Sequence, residues 1–297
     1  MSTISDLIRS VDPARPVLIA GPTASGKSEL ALRLAEAQGG VIVNADAIQV
    51  FADWRVLTAR PSQDDEARAR HALYGHVAGH VSYSVGDWLR DLDPYLDADT
   101  RPIIVGGTGL YFTALTEGLA QIPPTPESIR REAMARIDQE GHGGLAAELD
   151  PETAGRVDLA NPLRVQRAWE VLRSTGKGLA LWQDATDPPR LPIAEATALV
   201  VHADKAWLTP RIETRFDTML ATGALEEARA NRPGWSPDLP SAKAIGAAEL
   251  MAVLDGSMTL DEARTRATIL TRQFAKRQRT WFRARMRAWQ QVDAQAL

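Results

Sequence analysis

Residues 16–28 read PVLIAGPTASGKS, a short apolar run that enters a glycine loop. Leu30, Leu32 and Leu34 then open a helical pattern, so the stretch predicts strand, loop and helix in succession. Within it, Gly21–Ser28 has the spacing G-x-x-x-x-G-K-S in the strand-to-helix context that a phosphate-binding loop requires. Glycines let the backbone N–H groups turn inward on phosphate oxygens, and the helix N-terminus adds its dipole. Gly21, Pro22, Thr23, Ala24, Ser25, Gly26, Lys27 and Ser28 are therefore the expected grip on a diphosphate or triphosphate. Lys27 supplies a point charge to the terminal phosphate, and Ser28 is the candidate ligand for Mg²⁺. The competing reading is an ordinary glycine turn.

Working outward, Val41-Ile-Val43 is a second buried-strand candidate that ends at Asn44-Ala45-Asp46. Pro102-Ile-Ile-Val105 is a third, running into Gly106-Gly107-Thr108-Gly109 and a helix from about Leu110. Strands alternating with helices predict an α/β fold, a P-loop-containing parallel sheet with right-handed crossovers. Ligands of such sheets lie at the carboxyl ends of the strands. Thr23 and Lys27, Asp46, and Thr108 sit at those three tips, so all should face one crevice. A proline-rich boundary follows at 121–126. The expected division is a core of 1–123 and 194–297, with a mostly helical insertion domain at 124–193. Residues 196–203 return as a strand, and helices are expected from there to the end.

The chain has 297 residues, 44% hydrophobic and 24% charged, with no cysteine. That excludes a disulfide scaffold, a thiolate zinc site and a cysteine nucleophile. No long apolar run and no apolar leader core occur, so no membrane partner and a cytoplasmic location are expected. The net charge of −4 hides an asymmetry: residues 263–291 contain no acid but hold Arg264, Arg266, Arg272, Lys276, Arg277, Arg279, Arg283, Arg285 and Arg287. Such a helix calls for an anionic partner or a solvated face. Trp281 and Phe282, interleaved with these basics, suit stacking on RNA bases or packing into the core. His71, His76 and His80 have no cysteine nearby, and their spacing is a weak metal signal.

The loop identifies phosphate but not a reaction. A nucleoside-triphosphate hydrolase wants an apolar strand ending in a metal-binding acid, whereas Asp46 lies three residues past its apolar run. A kinase wants an arginine-rich lid, which the insertion does not clearly provide. Asp46 reads either as a helix N-cap or as a general base. Arg211 and Arg215 lie four apart on one face of a helix expected to begin near Pro210. They read as a fork for phosphate oxygens or as an exposed ion-paired face with Glu213 and Asp217.

Longer segments carry a resemblance. GPTASGKS at 21–28, N-A-D-x-x-Q at 44–49, TARP at 58–61 and VGGTGLYF at 105–112 resemble, in order, the tRNA dimethylallyltransferases. So do NPLRVQRAWE at 161–170, RIETRF at 211–216, AKAIG at 242–246 and AKRQRTWFR at 275–283. The resemblance covers nearly the whole chain. It implies transfer of a dimethylallyl group from dimethylallyl diphosphate to the N6 amine of the adenosine 3′ to the tRNA anticodon. It also implies Mg²⁺ as cofactor, the anticodon stem-loop as partner and a monomer as sufficient. Asp46, Thr108, Thr23, Arg211 and Arg215 would be catalytic. Asp46, Gln49, Thr108, Arg130, Arg164, Arg167, Lys243, Gly246, Lys276, Arg277, Arg279 and Arg283 would meet tRNA, with Gly246 admitting close backbone approach.

The chain departs from the family pattern in places. Ala47 and Phe51 replace a serine and a tyrosine, Arg60 replaces a lysine, and Leu163 replaces a glutamine. Two other enzyme readings remain: a prenyltransferase on free adenine nucleotides, which would not need the 161–170 motif or the basic helix, and a nucleotide kinase or ATPase. A nucleotide-switched RNA-binding protein without chemistry is the non-enzymatic alternative.

Overall fold

The computed structural model describes residues 4–297. Six strands form one sheet in the order β3-β2-β4-β1-β5-β6: β1 Val17–Ala20, β2 Val41–Asn44, β3 His71–Ala72, β4 Pro102–Gly106, β5 Thr197–His202 and β6 Gln290–Asp293. Every pairing is parallel. The residues of β1, β2 and β4 are buried throughout, as expected for strands covered on both faces. Register places Ala20 beside Gly106 and Asn44 beside Val105. The loops after β1, β2 and β4 therefore leave from one edge of the sheet. The α/β core read from the sequence is the fold observed.

Two strands are additions to that reading. β3 has only two residues. β6 ends the expectation that helices run to the C-terminus. Its sequence, Gln290-Gln-Val-Asp293, has a single buried residue, Val292. It is a short edge strand beside β5 with one inward apolar residue, so no apolar pattern announces it.

The chain divides into two compact units, one of Glu117–Arg190 and one comprising the rest. The insertion thus opens and closes earlier than the expected 124 and 193. Glu117 ends the Gly109–Glu117 helix. On the return, the Leu191 N–H donates to Leu115 O, and Leu191 is buried. The proline-rich signal at 121–126 falls inside the insertion. That unit is helical, with a core of Ala133, Leu145, Leu149, Val165, Ala168 and Trp169. Arg136 lies over the Trp169 ring and pairs with Glu148, which also accepts from Trp169 Nε1 at 2.6 Å.

In the larger unit, Asp204 caps the Lys205–Ala221 helix by accepting from the Trp207 N–H. The helix therefore starts five residues before Pro210, which lies inside it. The Leu260–Arg285 helix opens on a capping box of Thr259 and Glu262. The two helices are tied by Arg264–Asp217 and Arg272–Glu213 pairs. Two of the nine basic residues are thus committed to protein carboxylates, and Glu213 and Asp217 pair with this helix rather than with Arg211 and Arg215.

Candidate active site

Lys27 begins the Lys27–Gln38 helix. Its N-cap, Gly26, has φ 88° and supplies no side-chain cap. The first amides of that helix have no intrahelical acceptor, and together with the helix dipole they form an open anion site. Ala24 also adopts a left-handed conformation, φ 62°, an uncommon state that turns the loop inward. Lys27 Nζ donates to Pro22 O at 3.2 Å. Burial pushes the Lys27 ammonium down to about pKa 8, a fall that nearby Arg215 reinforces and Asp46 opposes. Ser25 is buried, and its Oγ has no hydrogen-bond partner. Ser28 is exposed and lines the cavity described below. Gly21 faces Ser25 and Val201, where a Cβ would lie 3.0 Å from Ser25 Oγ.

Asp46 follows β2 in a turn and caps no helix. Buried Asn44 organises that turn: its Nδ2 donates to Asp46 O and Leu73 O, while its Oδ1 accepts from the Asp46 N–H. Asp46 Oδ1 accepts from the Ile48 N–H at 3.0 Å. Thr108 reaches this loop at two points, donating its N–H to Ala45 O and accepting the Ala47 N–H on Oγ1 at 2.9 Å. It holds the backbone beside Asp46 and makes no bond to the carboxylate. The hydroxyl still has a proton to donate.

A cavity of about 340 Å³ opens here, lined by the phosphate loop and Asp46 but not by Thr108, and its size is within the range of small-ligand sites. Thr23, Lys27, Ser28 and Asp46 form one end, with Arg215, Lys243 and Arg277 along the walls. Ile48, Leu57, Ile212, Phe216, Met219 and Phe274 supply an apolar stretch. Arg215 lines the cavity and Arg211 does not. Arg211 is exposed and lies over the Trp207 ring at 4.1 Å, an i−4 neighbour that captures it away from the cavity. Tyr74 also lines the site, and burial beside the Asp46 charge raises its hydroxyl pKa.

Gln49 lines the cavity, but its Nε2 donates to Thr58 O and Ala59 O, stapling the 58–61 segment. Gly246 has φ +98°, and a Cβ there would meet Leu57 at 2.8 Å and Phe216 at 3.1 Å. This core contact and turn are enough to require glycine there. Lys276 and Arg283 are exposed on the long helix, Arg279 half-exposed. In the insertion unit, Asn161 caps the Pro162–Thr175 helix by accepting from the Arg164 N–H. Leu163 stands 77% exposed beside it. Arg164 lies 3.7 Å from Asp158, Arg167 donates to Thr125 Oγ1, and Arg130 lies 3.9 Å from Glu127. His71, His76 and His80 join no metal-binding cluster among the described residues.

Two residues that sequence reasoning missed hold the site together. Gln278 accepts the Thr23 N–H on Oε1 and donates from Nε2 to Gly107 O. The Thr23 amide expected to meet phosphate is therefore engaged, leaving its hydroxyl. Glu227 accepts three successive backbone N–H groups, from Arg55, Val56 and Leu57, and so shapes the cavity wall. Gln278 stands inside the 275–283 motif, where only its basic and aromatic neighbours drew notice, and nothing local in the sequence marks Glu227.

Comparison with known proteins agrees with this architecture. The IPP transferase profile matches residues 49–285, and the Isopentenyl transferase profile matches 15–74. A tRNA dimethylallyltransferase of a Ruegeria species is 62% identical over 97% of this chain and 99% of its own. That of Cereibacter sphaeroides is 60% identical over 97% and 92%. The crystal structure of a Bacillus halodurans tRNA isopentenylpyrophosphate transferase superposes with a TM-score of 0.64 at 28% identity, covering 95% of this chain and 90% of that one. The chain belongs to the IPP transferase family, among the tRNA dimethylallyltransferases.

Proposed function

We propose that this protein transfers the dimethylallyl group of dimethylallyl diphosphate to the N6 amine of the adenosine 3′ to the anticodon in tRNA. The carrying observation is one cavity with an uncapped phosphate loop at one end, Asp46 beside it and an apolar wall fitting a five-carbon chain. In the step, the allylic C1–O bond breaks and the electron pair leaves with the diphosphate. The adenine N6 forms the new bond to C1, and its proton passes to Asp46. The open amides of the phosphate loop, Lys27 and Arg215 take up the leaving charge, where most of the stabilisation lies. Thr108 sets the position of the Asp46 loop, and Thr23 lines the same cavity.

Mg²⁺ fits this donor set. Ser28 offers one hydroxyl, no cluster of three His, Asp or Glu side chains competes for the ion among the described residues, and Mg²⁺ prefers phosphate oxygens and water for its other ligands. When bound it would neutralise diphosphate charge. An N6 amine within a stacked loop becomes reachable only when the base is extruded. Lys276, Arg277, Arg279 and Arg283 on the long helix, with Arg130, Arg164 and Arg167 on the insertion and Lys243 in the cavity wall, are the proposed contacts to the anticodon stem-loop. A single chain carries all these groups, and cytoplasmic tRNA is the proposed substrate pool. No helix among the described residues is long and apolar enough to cross a membrane.

The test is incubation with labelled dimethylallyl diphosphate, Mg²⁺ and either tRNA or free AMP, with a parallel assay of ATP hydrolysis. Label on the tRNA adenosine is expected. Label on AMP alone, or phosphate release from ATP without transfer, would overturn the proposal.

A further inference from the structure

Three loops must be held at fixed spacing for transfer: the phosphate loop after β1, the Asp46 loop after β2 and the Gly107-Thr108 loop after β4. Past the last β1–β4 register pair, Ala20 with Gly106, the first and third loops share no direct hydrogen bond among the described residues. Gln278 of the Leu260–Arg285 helix bridges them. The residue is 5% exposed, and each of its two side-chain bonds, to the Thr23 N–H and to Gly107 O, is 2.9 Å long. The receiving loop is shaped for it, since a Cβ at Gly107 would lie 2.2 Å from Gln278 Nε2. From Gly107 the connection runs directly into Thr108, which holds Ala45 and Ala47 on either side of Asp46.

We propose that Gln278 is a positioning residue for prenyl transfer, fixing the separation between the diphosphate grip and the Asp46 loop. The inference rests on the reaction proposed above. Gln278 is not among the residues that line the cavity. Its carboxamide aligns the two halves of the site, and misalignment by about 1 Å can cost on the order of 100-fold in rate. The amides of the Lys27–Gln38 helix and the Lys27 ammonium do not depend on it, so ground-state binding of the prenyl diphosphate should change little.

Gln278→Met keeps the volume and removes both bonds. Single-turnover transfer with enzyme in excess over labelled prenyl diphosphate, at saturating tRNA, reads the rate of folded enzyme only. The expected result is a rate lower by about 10- to 100-fold, with the Kd for a non-reactive thiolo analogue of the prenyl diphosphate within about threefold. Gln278→Glu provides a rescue. Its protonated form can accept from Thr23 and donate to Gly107 as glutamine does, so its rate relative to Gln278→Met should rise as pH falls. A Gln278→Met rate within about twofold of the unchanged protein would overturn the proposal. A loss confined to diphosphate affinity, or a Gln278→Glu ratio flat with pH, would do the same. No transfer by the unchanged protein would overturn the underlying reaction and this role together.

Discussion

The lowered pKa of Lys27 makes the affinity for prenyl diphosphate depend on pH in a direction the structure fixes. The ammonium stands near Arg215 in a buried site, and only Asp46 favours its charge. A fall from 10.5 to about 8 corresponds to about 3 kcal/mol of disfavoured charge in the empty site. An arriving diphosphate ester, fully ionised above about pH 7, restores the preference for the charged form and takes up a proton when the lysine is neutral. Affinity should therefore be flat between about pH 7 and 8 and fall about tenfold per unit above that, to roughly 30-fold weaker at pH 9.5. Stability of the unliganded protein shows the opposite slope. Between about pH 8 and 10.5 the unfolded chain holds the proton more tightly, so the Lys27 contribution to folding rises with pH. The rise in Tm on adding ligand shrinks over the same interval. Calorimetric titration of the thiolo analogue from pH 6.5 to 9.5 reads the first effect. Lys27→Arg, whose guanidinium stays charged, should bind more weakly but without that decline. A flat profile for the unchanged protein, or an equal decline in Lys27→Arg, would refute the reasoning.

Asp46→Asn keeps an acceptor for the Ile48 N–H and removes the proton acceptor, so transfer should drop by about 10²- to 10⁴-fold. tRNA affinity by filter binding should stay within about twofold, and an equal loss of binding would make Asp46 an RNA contact instead. Gly106→Ala places a Cβ 2.0 Å from Ala45 O, a backbone clash that overpacking data price at about 1–3 kcal/mol or more. Gly155→Ala, with nothing within 4 Å, should be neutral or slightly stabilising in the same thermal melts. Arg283→Ala should leave single-turnover chemistry intact at saturating tRNA and flatten the slope of log affinity against log salt by about 0.7–0.9. An unchanged slope would count against a phosphate contact there.

The parts of this molecule that could be read from sequence are those whose signal is local. Residues 16–28 announce a strand, a loop and a helix within thirteen positions, and the apolar runs of β2 and β4 place Asp46 and Thr108 at the same sheet edge. Features decided by distant packing left no such trace. The partner of the Thr23 amide lies 255 positions away, and Glu227 lies 170 or more from the amides it caps. Arg211 and Arg215 share the spacing that puts them on one helix face, yet Trp207, one turn earlier, holds Arg211 outside. Gly246 reads as room for RNA until Leu57 and Phe216 are seen against it.

Gly106-Gly107-Thr108-Gly109 ties these observations together. As sequence it offered a tight turn or a substrate loop, and the structure makes its glycines necessary for a third reason. A Cβ at Gly106 would strike the Ala45 backbone, one at Gly107 the Gln278 amide, and one at Gly109 the Trp281 indole. The second strand and the basic helix therefore close on the same four residues, with Thr108 between them bonded to the Asp46 loop. Trp281 answers the question left by its place among the arginines: it packs on Gly109, with the Arg285 guanidinium over its ring at 5.8 Å. The helix that bears the proposed RNA contacts is thus also a structural wall of the catalytic edge. Its exposed charged residues stand clear of these contacts, whereas Gln278 and Trp281 cannot be moved without moving the Thr23 and Gly107–Gly109 backbone against which they pack.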